Sequence, residues 1–226
     1  MSPASVRLKF LADCMVLALS GYEPIFDTSP WNSAVDSDNC YDYAIGDFER
    51  TRTAKSTPGN RAGFRANGQT FTTCGDLRKR ILADNPKRVY AAKPNLPCRK
   101  GFYKIMNFVA KQGDFHFYKQ IRGVDWVCKK GDTRSSIAKF LRVPVAKVPD
   151  VRIGKKLQIP VNLWAHKQGW GAPPIIVDAK GKTIVDPRKA SRKYPGLDYN
   201  QYCGCYCVKK GARSGNYSKV RKNRIK

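Results

Sequence analysis

Residues 125–161, DWVCKKGDTRSSIAKFLRVPVAKVPDVRIGKKLQIPV, constrain the fold more than any other part of the chain. A β-like run from Asp125 to Lys129 leads into the turn Gly131-Asp132-Thr133. Ile137, Ala138 and Leu141 then recur at helical spacing, which predicts an amphipathic helix. Val145 to Val148 predicts a second short helix, stopped by Pro149. Lys156 to Pro160 closes the unit as a strand, giving β-α-α-β order. The flanks carry strand patterns of their own. Gly113 to Gln120 alternates, and Ile175 to Pro187 reads as a hairpin-like pair around Asp178 to Gly181. The flanks look like parts of one sheet, so the unit is expected as an insertion in a loop of a host domain, where insertions are tolerated.

The run Lys130-Gly131-Asp132-Thr133, then Ile137-Ala138, Gly154, Leu157 and Ile159-Pro160, resembles the LysM module in order and spacing. That resemblance implies a partner built from N-acetylglucosamine, as in chitin or peptidoglycan. It places the sugar between two loops, here Gly131, Asp132, Thr133 and Arg134 on one side and Val151, Arg152 and Ile153 on the other. Backbone groups would bond the N-acetyl group there, and small apolar side chains would pack on the ring. Arg134 stands where Leu is usual, and Cys128 replaces the common strand residue. The competing reading is a LysM fold kept only as a scaffold.

The surrounding motifs are Asn39-Cys40-Tyr41-Asp42-Tyr43-Ala44, Asp114-Phe115-His116-Phe117-Tyr118-Lys119, Trp164-Ala165-His166-Lys167, Asp186-Pro187-Arg188 and Tyr202-Cys203-Gly204-Cys205-Tyr206-Cys207-Val208. Together they are similar to the NlpC-like, papain-like cysteine hydrolases, over residues 21–122 and 162–208. The resemblance implies an α+β fold, a papain-like domain with an inserted βααβ LysM lobe. It implies Cys40 as nucleophile and His116 as base, with His166 orienting or polarising. Asn39, or a backbone N–H near Cys40, would supply the oxyanion donor. The chemistry is sound: a helix N-terminus favours a thiolate, and a neighbouring imidazole takes its proton. Against it, a cysteine on an apolar helix face is ordinarily packing, and Asp36, Asp38 and Asp42 disfavour a thiolate.

The net charge of +26 suits polyanionic partners, acidic protein surfaces included. It is unevenly spread. Residues 21–50 hold seven acids and one base, while 209–226 hold eight Lys/Arg and no acid. That tail buries too little to order itself. Division of the chain is expected as an N-terminal arm (1–20), the Cys/His domain (21–122 plus 162–208), the insert (123–161) and the basic tail (209–226). Leu8, Leu11 and Met15 share a helical face, which favours a docking arm. Ala18-Leu19-Ser20 resembles a cleavage site, but Asp13 interrupts the apolar run before it. No stretch is long enough to span a bilayer. No motif for specific nucleic-acid recognition, nucleotide binding or a zinc finger occurs. The eight cysteines do not have the spacing of a small disulfide scaffold, so synthesis in a reducing compartment is expected. Cys203, Cys205 and Cys207 alternate in a strand and would face one way, as buried residues or, less simply, as soft metal ligands. No cofactor and no metal is expected.

The fusion of these two modules in a basic chain resembles proteins of large algal DNA viruses. The leading expectation is a virion structural protein of minor capsid type, gripping other capsid proteins and a glycan. The alternative is a secreted, cell-wall-directed cysteine amidase or peptidase aimed by its LysM module.

Overall fold

The computed structural model describes residues 17–33, 35–49, 55–65 and 71–215. Its elements in chain order are β1 (Ile25–Phe26), α1 (Ser29–Asn32), α2 (Cys40–Ile45), α3 (Cys74–Asp84), β2 (Val89–Ala92), β3 (Phe102–Ala110) and β4 (Asp114–Val127). Then come α4 (Arg134–Leu141), a 3-10 turn (Val145–Lys147), β5 (Lys156–Lys167), β6 (Pro174–Ile175), β7 (Lys193–Tyr194), β8 (Leu197–Asp198) and β9 (Gln201–Lys209). The protein is mixed α/β, with a mostly antiparallel sheet and few helices. Strand order is β2-β9-β3-β4-β5-β6, with β1 added parallel to β4.

The helices form where local chemistry satisfies their ends. Asn39 caps α2 by accepting from the N–H groups of Tyr41 and Asp42, and Asp42 returns a bond to the Asn39 N–H. Gly46, at φ +74°, ends that helix in the left-handed conformation. Thr73 caps α3, as its Thr-x-x-Asp start predicts. Thr133 and Ser136 form a reciprocal cap on α4.

The sheet is buried on both faces. Ile105, Phe115, Phe117, Tyr206 and Val208 pack under α2 and α3, with Tyr41, Ile45, Leu77 and Ile81. Met106, Phe108, Tyr118, Trp164 and Cys205 point the other way, under Leu17, Ile184 and Tyr199. Buried lysines pin the layers through backbone carbonyls. Lys119 Nζ donates to Tyr43 O at 2.8 Å and lies 3.7 Å from the Tyr43 ring centre. Burial pulls that ammonium down to about 7. Lys104 reaches Pro94 O, and Lys167 reaches Val35 O.

The expected βααβ unit is the far end of the β4–β5 hairpin. β4 and β5 pair from Lys119↔Ala165 to Val127↔Lys156, so the flanks 114–122 and 162–167 share one sheet. The register shifts between Ile121 and Gly123, where the insert was expected to begin. Gly123 sits close under β1, where a Cβ would meet Ile25 Cδ1 at 2.7 Å and make that side chain move. The tip is not a separate lobe. Ile137, Ala138, Leu141, Val148 and Leu157 share a core with Trp31, Tyr43, Leu163 and Ile176. Burying Ile137 and Leu141 stabilises that join by about 1.5–3 kcal/mol each. The second helix is only the 3-10 turn Val145–Lys147. Instead of a hairpin, Asp178–Gly181 makes a tight turn with a single bridge, Val177↔Thr183.

The cysteines overturn two expectations. Cys74–Cys203 and Cys98–Cys207 are disulfides, so the thiols are not uniformly reduced. Nor do Cys203, Cys205 and Cys207 face one way. A bulge opposite Asn107/Phe108 adds a residue to β9, so Cys203 turns toward α3 while Cys205 faces the opposite layer. Gly204, at φ +152°, sits at the bulge.

The expected ends also shift. Leu17 O accepts from Gln120 Nε2 and Asn162 Nδ2, which docks residue 17 on its own sheet. Lys209 ends β9, Ala212 is buried, and the Ser214 hydroxyl and N–H bond Asp42 and Asp47, so the body continues to 215. The remainder of both expected arms, 1–16 and 216–226, lies outside the described residues.

Candidate functional site

The two histidines meet. His116 on β4 and His166 on β5 lie on the sheet face away from α2 and α3. His116 Nε2 is 2.8 Å from His166 Nδ1, and His166 Nε2 is 2.9 Å from Val177 O. A carbonyl only accepts, so His166 carries its proton on Nε2 and accepts on Nδ1. His116 therefore donates through Nε2. The rings of Tyr118, Tyr194 and Tyr199 surround His116. Burial, then His166 and Arg192, hold the His116 imidazole well below its usual range. Burial brings His166 down to about 4 despite its Val177 bond and Asp178 nearby. Both rings are neutral at pH 7. The pair clamps the segment after β6 to the sheet.

Cys40 does not join them. It is the first residue of α2 and is buried, its thiol 3.7 Å from Phe115 O. Phe115 and Phe117 point toward Cys40; His116 and Tyr118, between and after them on the strand, point to the opposite layer. The backbone of β4 thus separates the expected nucleophile from its expected base. Burial, then the Asp114 charge, push the Cys40 thiol up to about 12, against the pull of Lys55 and the Phe117 N–H. Asn39 is equally committed. Its Oδ1 caps α2, and its Nδ2 donates to Ser56 O at 2.6 Å. Asn39 is fully buried, so the second N–H of its amide faces no solvent-open cleft. Cys40 in the native protein is expected to alkylate at neutral pH at least about tenfold more slowly than a free thiol. His116→Ala should leave that rate unchanged. Mass spectrometry after timed iodoacetamide exposure checks both.

The two expected glycan loops do stand side by side. The Cys128 N–H donates to Lys155 O, and Cys128 O accepts from the Gly154 N–H, at 3.0 and 2.9 Å. Asp132 Oδ2 accepts from Trp126 Nε1 and the Lys129 N–H, each at 2.8 Å, which fixes the first loop. The Asp132 carboxyl is held below its usual range by the Lys129 N–H, then by the Trp126 indole. Gly131 sits at φ +90° with nothing within 4 Å of where a Cβ would be. Arg134 explains its departure from Leu. Its Nε donates to Val148 O at 2.8 Å and Nη1 lies 3.8 Å from Asp150, so it ties the helix start to the second loop. Val151 packs on the core. Asp132, Thr133 and Arg134 are thus used inside the protein. Ile153, 74 % exposed, Arg152 and the open side of Gly131 face outward. Sequence reading missed Trp126, whose indole bond to Asp132 left no local signal, and gave Cys128 and Gly154 no part in the site although both stood in the LysM pattern.

Among the described residues no group of three His, Cys, Asp or Glu could hold a metal ion, and no helix is long and apolar enough to cross a membrane. Comparison with family models, curated proteins and solved structures finds no match to this chain. Both family resemblances therefore rest on the residues quoted above.

Proposed function

We propose that the chain is a non-catalytic, polysaccharide-binding structural protein. Its β4–β5 tip acts as a LysM-type module for N-acetylglucosamine polymers, chitin or peptidoglycan, and the remaining sheet is a rigid body built into an assembly of virion type. The observation that carries this reading is the joined loop pair. Backbone bonds join the loops at 128–133 and 151–155, and the second of them presents an apolar side chain, Ile153, that is 74 % exposed. A sugar ring needs that combination: an apolar surface for its face and oriented polar groups for its N-acetyl arm. The assembly part rests on the basic composition, which suits acidic neighbours. The hydrolase alternative is disfavoured because its thiol and imidazole occupy different layers.

Calorimetry of the full chain with chitin hexamer is expected to show weak, saturable binding. Ile153→Asp should weaken it by about tenfold, the equivalent of losing one apolar contact and desolvating a charge. Absence of heat with both chitin and peptidoglycan fragments would reduce the tip to a scaffold.

A further inference from the structure

We infer that the polymer held by the loop pair is anionic: an N-acetylhexosamine polysaccharide that also carries carboxylate or sulfate groups. This rests on the glycan reading of the same loops and adds the charge of the ligand. Residues 125–161 contain nine Lys/Arg against three Asp. All three acids have partners within the tip. Asp125 pairs with Lys156 at 2.8 Å, Asp132 accepts from Trp126 and the Lys129 N–H, and Asp150 lies 3.8 Å from Arg134. Lys129 and Lys130 are exposed on the first loop, and Arg152 and Lys155 on the second. None of these four forms an ion pair among the described residues. The bonds through Cys128 bring both loops to one end of the hairpin, so four exposed cations, of which only Lys129 has an acid (Asp132) beside it, share that end with the exposed Ile153. Like charges gathered this way repel, and a neutral sugar chain relieves none of that repulsion. An anion on each repeat of the polymer does. Nucleic acid fits less well, because single-strand sites back their cations with stacking rings, and the loops 129–133 and 149–155 contain no aromatic residue.

The test is calorimetry of the full chain at low and high salt with four probes: chitin hexamer, a hyaluronan oligomer, a sulfated N-acetylglucosamine oligomer and single-stranded DNA. Hyaluronan, the sulfated oligomer, or both should bind about tenfold more tightly than chitin at low salt, and the ratio should fall with salt. Which of the two binds tells carboxylate from sulfate. In the triple variant Lys129→Gln/Lys130→Gln/Lys155→Gln the ratio should collapse toward one. Equal binding of chitin and both anionic oligomers overturns the inference and leaves the glycan reading standing. Binding of none of these glycans overturns the inference, and absence of heat with peptidoglycan fragments as well removes the reading. DNA binding as tight as that of the anionic oligomers, with all anions unaffected by Ile153→Asp, overturns the inference in favour of non-specific attraction elsewhere on the chain.

Discussion

Removing either disulfide is expected to lower the unfolding free energy by about 3–5 kcal/mol, a large share of the total for a domain of this size. The bridges join residues 129 and 109 positions apart, so each closes a long loop. Chain-entropy reasoning gives about 4.7 kcal/mol for a loop near one hundred residues, and native strain or residual structure reduces it. Cys74–Cys203 fastens the start of α3 to the first part of β9, and Cys98–Cys207 fastens the segment before β3 to the last part of β9. The loops overlap, so the double effect should be smaller than the sum. Urea unfolding of Cys74→Ala/Cys203→Ala and of Cys98→Ala/Cys207→Ala, each against the oxidised parent, measures the terms. Losses under about 1 kcal/mol would mean that packing alone holds β9.

Acid should open the sheet face that the histidines clamp. A histidine whose folded pKa lies below its unfolded value binds more protons when unfolded. Its neutral form then supplies stability that is complete above the unfolded pKa and is lost as pH falls through the folded one. For His166 the window runs from the ordinary 6.5 down to about 4. At 1.36 kcal/mol per unit, that is about 3 kcal/mol. His116 is shifted in the same direction and adds to the loss. Protonation is disfavoured geometrically as well, since a proton on His166 Nδ1 would face the N–H that His116 points at it. Asp178 is held below the usual carboxylate range by the N–H groups of Ser191, Lys182 and Lys180 against its burial, so its own loss comes later, below about pH 4. Unfolding free energy measured between pH 7 and 4 should therefore fall steeply. The slope should flatten in His116→Gln/His166→Gln, and a parent with no slope across that window would contradict the neutral clamp.

Local chemistry was readable in advance. Alternation from Gly113 to Gln120 marked β4, the spacing of Ile137, Ala138 and Leu141 marked α4, and Gly131-Asp132-Thr133 marked the turn into it. The meeting of the two histidines was also within reach, since both sit in aromatic strand motifs. What failed depends on partners distant in the chain. The disulfide pairs follow from β9 lying between β2 and β3, an order no local pattern encodes. The single inserted residue at the β9 bulge reverses the direction of Cys203, and a lone glycine, Gly204, was its only trace. The failed dyad is a matter of parity. In Phe115-His116-Phe117 the phenylalanines take the face that packs on α2. A cysteine buried in that same packing must then lie across the strand from the histidine. With both faces apolar, the sequence did not say which one α2 would cover. The expectation that the βααβ unit is a separate lobe failed similarly, because Trp31 and Tyr43 complete its core from more than eighty positions upstream of Ile137.

The central claim is that the loops 129–134 and 151–155 hold an N-acetylated sugar polymer. Backbone amide resonances of the full chain, followed during titration with N-acetylglucosamine oligomers, test it most directly. The expected result is a set of shifts confined to those loops and to Cys128, needing about tenfold more ligand in Ile153→Asp and with no change around Cys40. Shifts centred on Cys40, His116 or α2, with the tip unmoved, would contradict it.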